Sequence, residues 1–525
     1  MAFATSALVL LTFWALVSAL DALIRASWLG TRYEHWMTTH SVTVSPGHVR
    51  WTSTILNRAF LRAGHWRPRL LHIWFTAGLV FGLAGMVLSV VLLTSNLASM
   101  LRILLFPAPA QQQQQQQQVL QVIVPGVNLP LSQASYFFLA VLLSGVVHEF
   151  GHAVAAVKEQ VRVNGFGCFL FVLYPGAFVE LHTPHLQLAS PSQQLRIFCA
   201  GVWHNFVLVV VAALALLLMP WALALFYRTG AGALVTAVVE DSGVGGGLGL
   251  RVGDVVTTVG ECRVDGAARW AGCLVEEAAR PARGFCLSSA SLHFLLLQRP
   301  APVYRRDDGS VECCRNGSET DLCFSYSSSY AKDYTTKYAC LPVRRMLGES
   351  RACGSNADCR GAAAAAAGGG GGGGGDAGAL CVWPALGNGT RLLRLVHAPR
   401  PHTLYVGHPL QPLYSVTMSD YVPRFTFLSI HLPTMLETFC KYLVSLSGAL
   451  ALVNSVPCFA LDGQWILTAL LELVLTGHEC VASWVLLGGT ALLAGNVCLG
   501  MWTLVAGQIS LNGGELKNDS RSHAG

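Results

Sequence analysis

The strongest constraint on the fold is the apolar segment 134–158, which is long enough to cross a membrane yet carries three ionisable side chains close together. A helix of about 20 apolar residues spans the hydrocarbon core of a bilayer. Ionisable groups are costly in that core and usually mark a functional site. The segment therefore predicts a membrane-spanning helix that contains a polar site.

The three ionisable residues form the pattern HExxH, with His148, Glu149 and His152. Positions four apart lie on one face of an α-helix, so both imidazoles can bind the same metal ion. Glu149 follows the first histidine and can reach an attacking water molecule. This pattern is typical of zinc hydrolases, in which the histidines are ligands and the glutamate transfers protons. We predict His148 and His152 as metal ligands and Glu149 as the catalytic residue.

A third ligand is predicted near the C-terminus, where Pro457 and Asp462 interrupt an apolar region. Pro457 breaks the helix before the acid, and Asp462 can cap the helix that follows. Tracing the spans places Asp462 near the cytosolic side, at the depth assigned to His148 and His152. Two histidines and one carboxylate leave a fourth position open, which is typical of a catalytic zinc site.

Other polar residues in apolar surroundings are secondary candidates. Asn205 lies in the predicted span 195–227, where it is either a contact between helices or a donor in the active site. We predict that Asn205 and Asn454 hold the substrate backbone or the oxyanion. His204 is the runner-up third ligand. His182 and His185 follow in a polar context, and we predict an interfacial location for both because no helix supports them.

Composition agrees with an integral membrane protein whose partner is the lipid bilayer. Of the 525 residues, 53% are hydrophobic and 12% are charged, against about 25% charged in soluble domains. The net charge of +6 is small for this length, and no basic run has interleaved aromatic residues. Nucleic acid is therefore not a predicted partner.

Ten of the sixteen cysteines fall within residues 230–425, together with the glycosylation sequons at Asn316 and Asn388. An even number of cysteines beside glycosylation acceptors indicates an oxidising lumen. Paired CxxC ligands are lacking, which favours disulfides over a zinc ribbon, but the pairing cannot be deduced from the sequence. The ten cysteines are Cys262, Cys273, Cys286, Cys313, Cys314, Cys323, Cys340, Cys353, Cys359 and Cys381.

These features predict a mainly α polytopic membrane protein with a lumenal β domain. Seven arginines between residues 25 and 71 place that segment in the cytosol by the positive-inside rule. The predicted regions are N-terminal spans at 1–106, a polyglutamine loop at 107–133, a catalytic core at 134–227, a lumenal cysteine-rich domain at 228–425 with an Ala/Gly insert at 361–375, the remaining core at 426–508, and a tail at 509–525.

Local patterns refine this arrangement. An uncleaved first span at 1–20 is followed by a second at 72–94, and the apolar piece 95–106 could be re-entrant. Residues 165–180 are too short and too rich in Gly and Pro for a spanning helix, which favours a re-entrant β-hairpin. Its edge either pairs with an unwound substrate or merely packs. Residues 232–266 are predicted to form a PDZ-like fold or a generic β-hairpin domain.

The motifs together resemble the site-2 protease family of intramembrane zinc metalloproteases. The resemblance rests on HExxH in a span, Gly201-x-x-x-Asn205, the PDZ-like stretch around Leu250–Asp254, and Asn454-x-x-Pro457-x-x-x-x-Asp462-Gly463. It covers most of the chain. The polyglutamine and Ala/Gly tracts depart from the family, but both fall in loops.

The resemblance implies a zinc endopeptidase with one Zn²⁺ per chain, held by His148, His152 and Asp462. Its expected substrates are membrane-anchored transcription factors of the sterol regulatory element-binding type, cut within their membrane helix after a lumenal protease has trimmed them. The implied location is the Golgi and endoplasmic reticulum, with the active site near the cytosolic leaflet and roles in cholesterol metabolism and the unfolded protein response.

The same residues are compatible with two other functions. A metal-ion transporter would use the same ligands as a transit site, but it should show matched helix repeats and a polar path across the membrane. A catalytically silent membrane chaperone is the third possibility. The presence of Glu149 argues against it, because loss of that residue is the simplest way to silence the site.

Overall fold

The computed structural model describes most of the chain in two compact units. The described residues are 2–105, 128–172, 174–239, 242–244, 249–288, 292, 303–306, 308–314, 321–327, 336–343, 351–359, 379–387, 389–400, 402–475 and 479–522. One unit is Met1–Met219 with Leu436–Gly525, and the other is Pro220–Met435. The polyglutamine tract 111–118, the Ala/Gly insert 361–375, and the predicted glycosylation sites Asn316 and Asn388 lie outside the described residues.

The first unit is built mainly from helices. In chain order they are α1 (Ala2–Ala26), α2 (Gly30–Thr39), α3 (Asn57–His65), α4 (Pro68–Leu105), α5 (Ala134–Lys158), α6 (Thr183–Leu188), α7 (Pro191–Leu223), α10 (Leu432–Asn454), α11 (Asp462–Val474) and α12 (Glu479–Ser522), with a 3₁₀ turn at Leu131–Gln133. Helices α8 (Ala267–Ala279) and α9 (Gln411–Ser415) belong to the second unit.

Six helices of the described part of the chain are long and apolar enough to cross a membrane. Their apolar stretches are Leu8–Ala26, Pro68–Leu105, Leu131–Lys158, Pro191–Leu223, Leu432–Asn454 and Glu479–Leu504. Because about 20 apolar residues suffice to span a bilayer, the chain is a polytopic membrane protein.

Helix α4 is longer than the sequence predicted. Residues 95–105 continue the helix of the second span and do not form a re-entrant piece, because no Gly or Pro interrupts them.

Two buried amides connect α4 with α12. Asn96 is buried and donates a hydrogen bond to the side-chain oxygen of Asn496 on α12 at 2.9 Å. Asn496 donates in turn to the Leu93 carbonyl. Buried amides satisfied in this way connect helices in an apolar environment.

A four-stranded antiparallel sheet accompanies the helices. Its strands are β1 (Val42–Ser45), β2 (His48–Ser53), β3 (Val163–Phe171) and β4 (Tyr174–Leu181), in that order. The predicted hairpin corresponds to β3 and β4, with Phe166 opposite Val179. The sequence did not predict β1 and β2, which come from the arginine-rich segment and extend the hairpin on one side. Strand β4 is left at the edge.

The second unit is mainly β-structure. Its strands are β5 (Tyr227–Arg228), β6 (Ala233–Val238), β7 (Val255–Val259), β8 (Cys262–Arg263), β9 (Gly284–Ser288), β10 (Tyr304–Arg305), β11 (Val311–Glu312), β12 (Asp321–Ser327), β13 (Thr336–Pro342), β14 (Ala352–Cys353), β15 (Ala379–Pro384), β16 (Arg391–Ala398), β17 (Thr403–Gly407), β18 (Val416–Ser419) and β19 (Val422–Pro423), with helices α8 (Ala267–Ala279) and α9 (Gln411–Ser415).

Two larger sheets carry the cores of this unit. The order β17-β16-β7-β6-β18, with β8 paired to β7, packs against α8 around Leu250, Val256 and Trp270. The order β13-β12-β15-β9-β14 encloses a second core around Phe324 and Leu341.

Five disulfides connect all ten cysteines of the β domain, which confirms the predicted disulfides. The pairs are Cys262–Cys273, Cys286–Cys359, Cys313–Cys323, Cys314–Cys340 and Cys353–Cys381. Cys286, Cys353 and Cys359 are close enough to resemble a metal site, but each is already bonded to another sulfur. A small β domain with many loops gains much of its stability from such cross-links.

The stretch from Leu250 to Asp254 forms a turn into β7 whose first and last residues are buried. Gly253 has φ of +95°, which glycine adopts at low cost. The Asp254 carboxylate accepts a hydrogen bond from the Arg251 N–H at 2.8 Å and pairs with Arg400. His397 lies beside this ion pair, and burial together with Arg400 lowers the pKa of its imidazole despite the attraction of Asp254. The PDZ-like assignment of this domain stays a prediction.

Candidate metal centre

Helix α5 presents both histidines on its buried face. His148 and His152 are 5% and 6% exposed, and Ser144 and Ala140 continue the same stripe toward the start of the helix. The spacing of four residues places these side chains one above another. The apolar sequence around them folds as one uninterrupted helix, so their separation is set by its regular geometry.

Asp462 reaches the same place from a non-helical loop. Helix α10 ends at Asn454, and Asp462 is the first residue of α11. Between them Ala460 has φ of +68°. A side chain at Gly463 would collide with the Val456 carbonyl, so glycine is needed for this close return of the chain. The loop thereby directs the carboxylate toward α5.

The three predicted ligands converge on one point. Oδ2 of Asp462 lies 2.8 Å from Nε2 of His148 and 3.2 Å from Nε2 of His152. The two Nε2 atoms are 3.1 Å apart. Within the described residues, this is the one group of His, Cys, Asp or Glu with the spacing of a metal site apart from the disulfide-bonded cysteines.

The hydrogen bonds of the rings favour a cation at this point. Nδ1 of His152 donates to the Ile197 carbonyl at 2.8 Å, which leaves Nε2 with a lone pair when the ring is neutral. Two such nitrogens and a carboxylate oxygen facing one another repel unless a proton or a metal ion lies between them. The donor set therefore fits a divalent metal, and a backbone carbonyl behind a histidine ligand is a usual way to fix its orientation.

Asn205 on α7 contacts the Nδ1 atom of the other histidine, His148. Its side-chain Nδ2 lies 3.1 Å from Nδ1 of His148, and its Oδ1 accepts a hydrogen bond from the Ser447 hydroxyl at 3.3 Å. A metal ion on Nε2 of His148 requires the proton on Nδ1, so metal binding requires this amide to be turned over, with its oxygen toward the ring and its NH₂ toward the Ser447 hydroxyl. Asn205 therefore contacts His148 directly in this structure, and its predicted contact with substrate remains a prediction.

Replacing Asn205 tests this arrangement. Asn205→Ala removes the acceptor for Nδ1–H, and we expect metal affinity to fall about 10–100-fold, the usual cost of losing such a partner. Asn205→Asp keeps an acceptor and should bind metal nearly as well as the wild type. Metal affinity of the purified variants, measured by competition with a chelating dye, distinguishes the two. Equal losses in both variants would mean that Asn205 contributes only to packing.

Gly201 allows α7 to approach the ligands closely. A methyl carbon at this position would lie 2.6 Å from Nε2 of His148 and closer still to Nε2 of His152. Only glycine fits at position 201 without displacing the imidazole rings of His148 and His152. Gly201 and Asn205, one helical turn apart, therefore form one surface against which the ligands rest.

Glu149 points to the side of the metal centre where the sheet lies. Its carboxylate accepts a hydrogen bond from the Val179 N–H of β4 at 2.9 Å. Since that N–H is directed away from β3, it belongs to the free edge of the sheet. Glu149 thus lies between the metal ligands and an edge strand.

The last helix supports the Asp462 loop without supplying a ligand. Gly489 lies directly under Pro457, whose carbonyl a side chain at 489 would strike. Next to it the Thr490 hydroxyl accepts a hydrogen bond from the Phe459 N–H at 3.1 Å. Sequence reasoning did not identify these two residues, and no motif in the sequence connects them with the site.

The remaining candidates lie apart from the three ligands. His204 donates from Nδ1 to the Ala200 carbonyl and contacts Trp74, and it is not a member of the cluster. His182 and His185 pack against each other with ring centroids 4.4 Å apart; His185 lies in the short helix α6, which was not expected. Asn454 is half-buried at the end of α10, and its predicted contact with substrate stays untested.

Two comparisons with known proteins give matches over most of the chain. The profile of peptidase family M50 matches residues 136–495, a range that includes the three predicted ligands and Glu149. The chain is 25% identical over 461 residues to a membrane-bound transcription factor site-2 protease homolog of Arabidopsis thaliana, covering 79% of this chain and 83% of that protein. The resemblance to site-2 proteases seen in the motifs is thereby confirmed.

Proposed function

The chain belongs to peptidase family M50, and from this premise we propose that it is an intramembrane zinc endopeptidase with His148, His152 and Asp462 as ligands. The observation that carries the proposal is the convergence of three lone-pair donors, two of which come from the membrane-spanning helix α5. Family membership supports a metallopeptidase over a metal-ion transporter or a silent chaperone. The proposed substrates are membrane-anchored transcription factors, trimmed beforehand on the lumenal side.

The spacing of the ligand atoms supports zinc. A tetrahedral ion with bonds of about 2.0–2.1 Å separates its ligand atoms by about 3.3 Å. The distances among the three atoms here are 2.8, 3.1 and 3.2 Å. A bound zinc ion would supply a Lewis acid that polarises the scissile carbonyl and activates a water molecule.

Glu149 would carry the proton through the reaction. Its carboxylate accepts a proton from the attacking water and delivers it to the leaving amide nitrogen, as a general base and then a general acid. Asn205 keeps the proton on Nδ1 of His148 and so keeps Nε2 available to the metal. Ile197 does the same for His152 through its carbonyl.

Strand β4 is the proposed docking edge for the substrate. A transmembrane helix hides its carbonyls in internal hydrogen bonds, so it must unwind locally before attack, and an unwound segment can pair with an exposed strand. The Val179 N–H at this edge is held by Glu149. A substrate carbonyl that takes this N–H would release the Glu149 carboxylate toward the scissile bond.

The disulfides of the β domain indicate the cellular compartment in which it lies. Disulfides persist in oxidising compartments, so we assign the β domain, which contains all five, to the lumen of the Golgi or endoplasmic reticulum. We further propose that this domain is PDZ-like, is glycosylated at Asn316 and Asn388, and excludes substrates with untrimmed lumenal parts. The metal centre is assigned to the cytosolic leaflet.

Metal removal tests the proposal as a whole. We expect the purified chain to contain about one zinc per chain and to cleave a trimmed transmembrane substrate in proteoliposomes. Dialysis against a chelator should abolish cleavage, and zinc but not magnesium should restore it, because imidazole ligands suit zinc. Mass spectrometry of the products locates the cut. Undiminished cleavage by a metal-free preparation would refute the proposal.

A further inference from the structure

A second site candidate lies in the β domain, far in sequence from the metal ligands. It is a cavity of about 510 Å³ enclosed by residues of the second unit. One wall consists of β9, β14 and β15, and the other of β16, the turn after β7 and the segment after α8. Pockets that bind small ligands or peptide segments usually have volumes of about 300–1,000 Å³.

The cavity carries positive charge that its own acids do not neutralise. Its charged lining residues are Arg283, Arg351, Arg391, Arg394, Glu261 and Glu277. Both glutamates are already engaged, Glu261 with Arg283 at 2.6 Å and Glu277 with Arg280. Arg351 and Arg391 supply the positive charge on which the following argument rests.

Arg351 and Arg391 are the two arginines best suited to hold an anion. Arg391 donates from Nη1 to the Thr390 carbonyl at 3.2 Å, while its Nε is buried without a hydrogen-bond partner. For Arg351 no ion pair within 4.0 Å occurs among the described residues, although Asp358 attracts it from farther away. Asp358 itself accepts from the Gly354 and Ser355 N–H groups.

The walls of the cavity are rigid and partly aromatic. Phe285 and Trp383 line it from β9 and β15. The disulfide Cys353–Cys381 joins β14 to β15, and Cys286–Cys359 anchors β9. A cavity whose walls are cross-linked keeps its shape before a ligand arrives, which lowers the entropic cost of binding.

The edge of the sheet at this cavity favours an extended peptide. Among the described strands, β14 is the terminal one of its sheet, and its residue Ala352 lines the cavity. A terminal strand has backbone N–H and C=O groups on one side available for a further strand. An inorganic anion would use the arginines alone and leave this edge and the aromatic wall unused.

We propose that this cavity binds an extended acidic peptide segment, with carboxylates on Arg351 and Arg391 and an apolar side chain against Trp383. Arginine forms paired hydrogen bonds with carboxylates, and aromatic walls bind apolar groups through their large contact area. The proposal is independent of the metal centre, since none of its residues takes part there.

The test uses the full chain in detergent micelles and a fluorescein-labelled nonapeptide with four glutamates around a central tryptophan. We expect it to bind at least about tenfold more tightly than the same peptide with glutamines, because charge-assisted hydrogen bonds are stronger than neutral ones. The double variant Arg351→Gln/Arg391→Gln should lose at least that factor. Arg305→Gln, an exposed arginine of β10 outside the cavity, is the matched control and should bind normally.

Other outcomes are equally decisive. Arg351→Lys/Arg391→Lys keeps both charges, so retained binding in this variant supports the proposal even if the glutamine variant is poorly folded. Equal affinity for the glutamate and glutamine peptides would overturn it. Displacement of the peptide by submillimolar inorganic phosphate would also overturn it, because the site would then be one for small anions. Zinc content stays unchanged in all variants, which separates this test from that of the proteolytic function.

Discussion

Glu149→Gln is expected to abolish proteolysis while leaving the metal in place. The amide cannot accept the proton of the attacking water, and general acid–base catalysis contributes about 10²–10⁴-fold to rate. Glu149 is not among the three converging ligand atoms, so zinc content should be unchanged. The measurements are the rate of cleavage of a trimmed transmembrane substrate and the zinc content of the same preparation.

The matched control is Glu437→Gln, which removes an exposed carboxylate that pairs with Lys441 on the surface of α10. Such pairs contribute little, about 0–1 kcal/mol, and this variant should cleave at the wild-type rate. If Glu149→Gln lost zinc together with activity, its role would be structural. If it retained full activity with zinc bound, another residue would have to transfer the proton.

Gly201→Ala is expected to empty the metal centre. The added methyl group would lie 2.6 Å from Nε2 of His148, well inside van der Waals contact, so the rings must move apart. Because loss of a mere supporting hydrogen bond costs about 10–100-fold in metal affinity, displacement of two ligands should cost more than about 100-fold. Zinc content after purification and the affinity measured by chelator competition report the loss.

Gly488→Ala provides the control, since a methyl group at that exposed position meets no atom within 4 Å. It tests the general cost of replacing a glycine in a spanning helix. Normal zinc affinity in Gly201→Ala would show that α7 can shift away from the ligands, and the close packing described above would then be unimportant for the site.

The predicted ligands and Glu149 were easier to identify from the sequence than the residues that contact and orient them. The spacing of His148 and His152 follows from helical periodicity, and an acid after a proline in an apolar segment is unusual enough to attract attention. The orientation of Asn205 toward His148 depends on which face of α7 meets α5. That choice depends on side-chain packing, for which a single sequence contains no pattern.

The fold was predictable where one residue pattern decided the structure. Length and apolarity identified the spans, and Gly and Pro in 165–180 identified the hairpin that forms β3 and β4. Strands β1 and β2 were missed because their arginines suggested only a cytosolic loop. The 95–105 extension of α4 was ambiguous, since its apolar residues fit either a continued span or a shorter piece.

The route by which Asp462 reaches the histidines has a consequence for biosynthesis. The carboxylate follows His152 by 310 positions along the chain, and its loop rests on Gly489 and Thr490, which are translated later still. By the proposed ligand assignment, a nascent chain that has inserted only α5 and α7 holds two of three ligands and cannot retain the metal firmly. The ribosome must therefore pass residue 490 before the proposed metal centre can be complete, so by this proposal the order of synthesis itself keeps incomplete chains inactive in the membrane in which they are made.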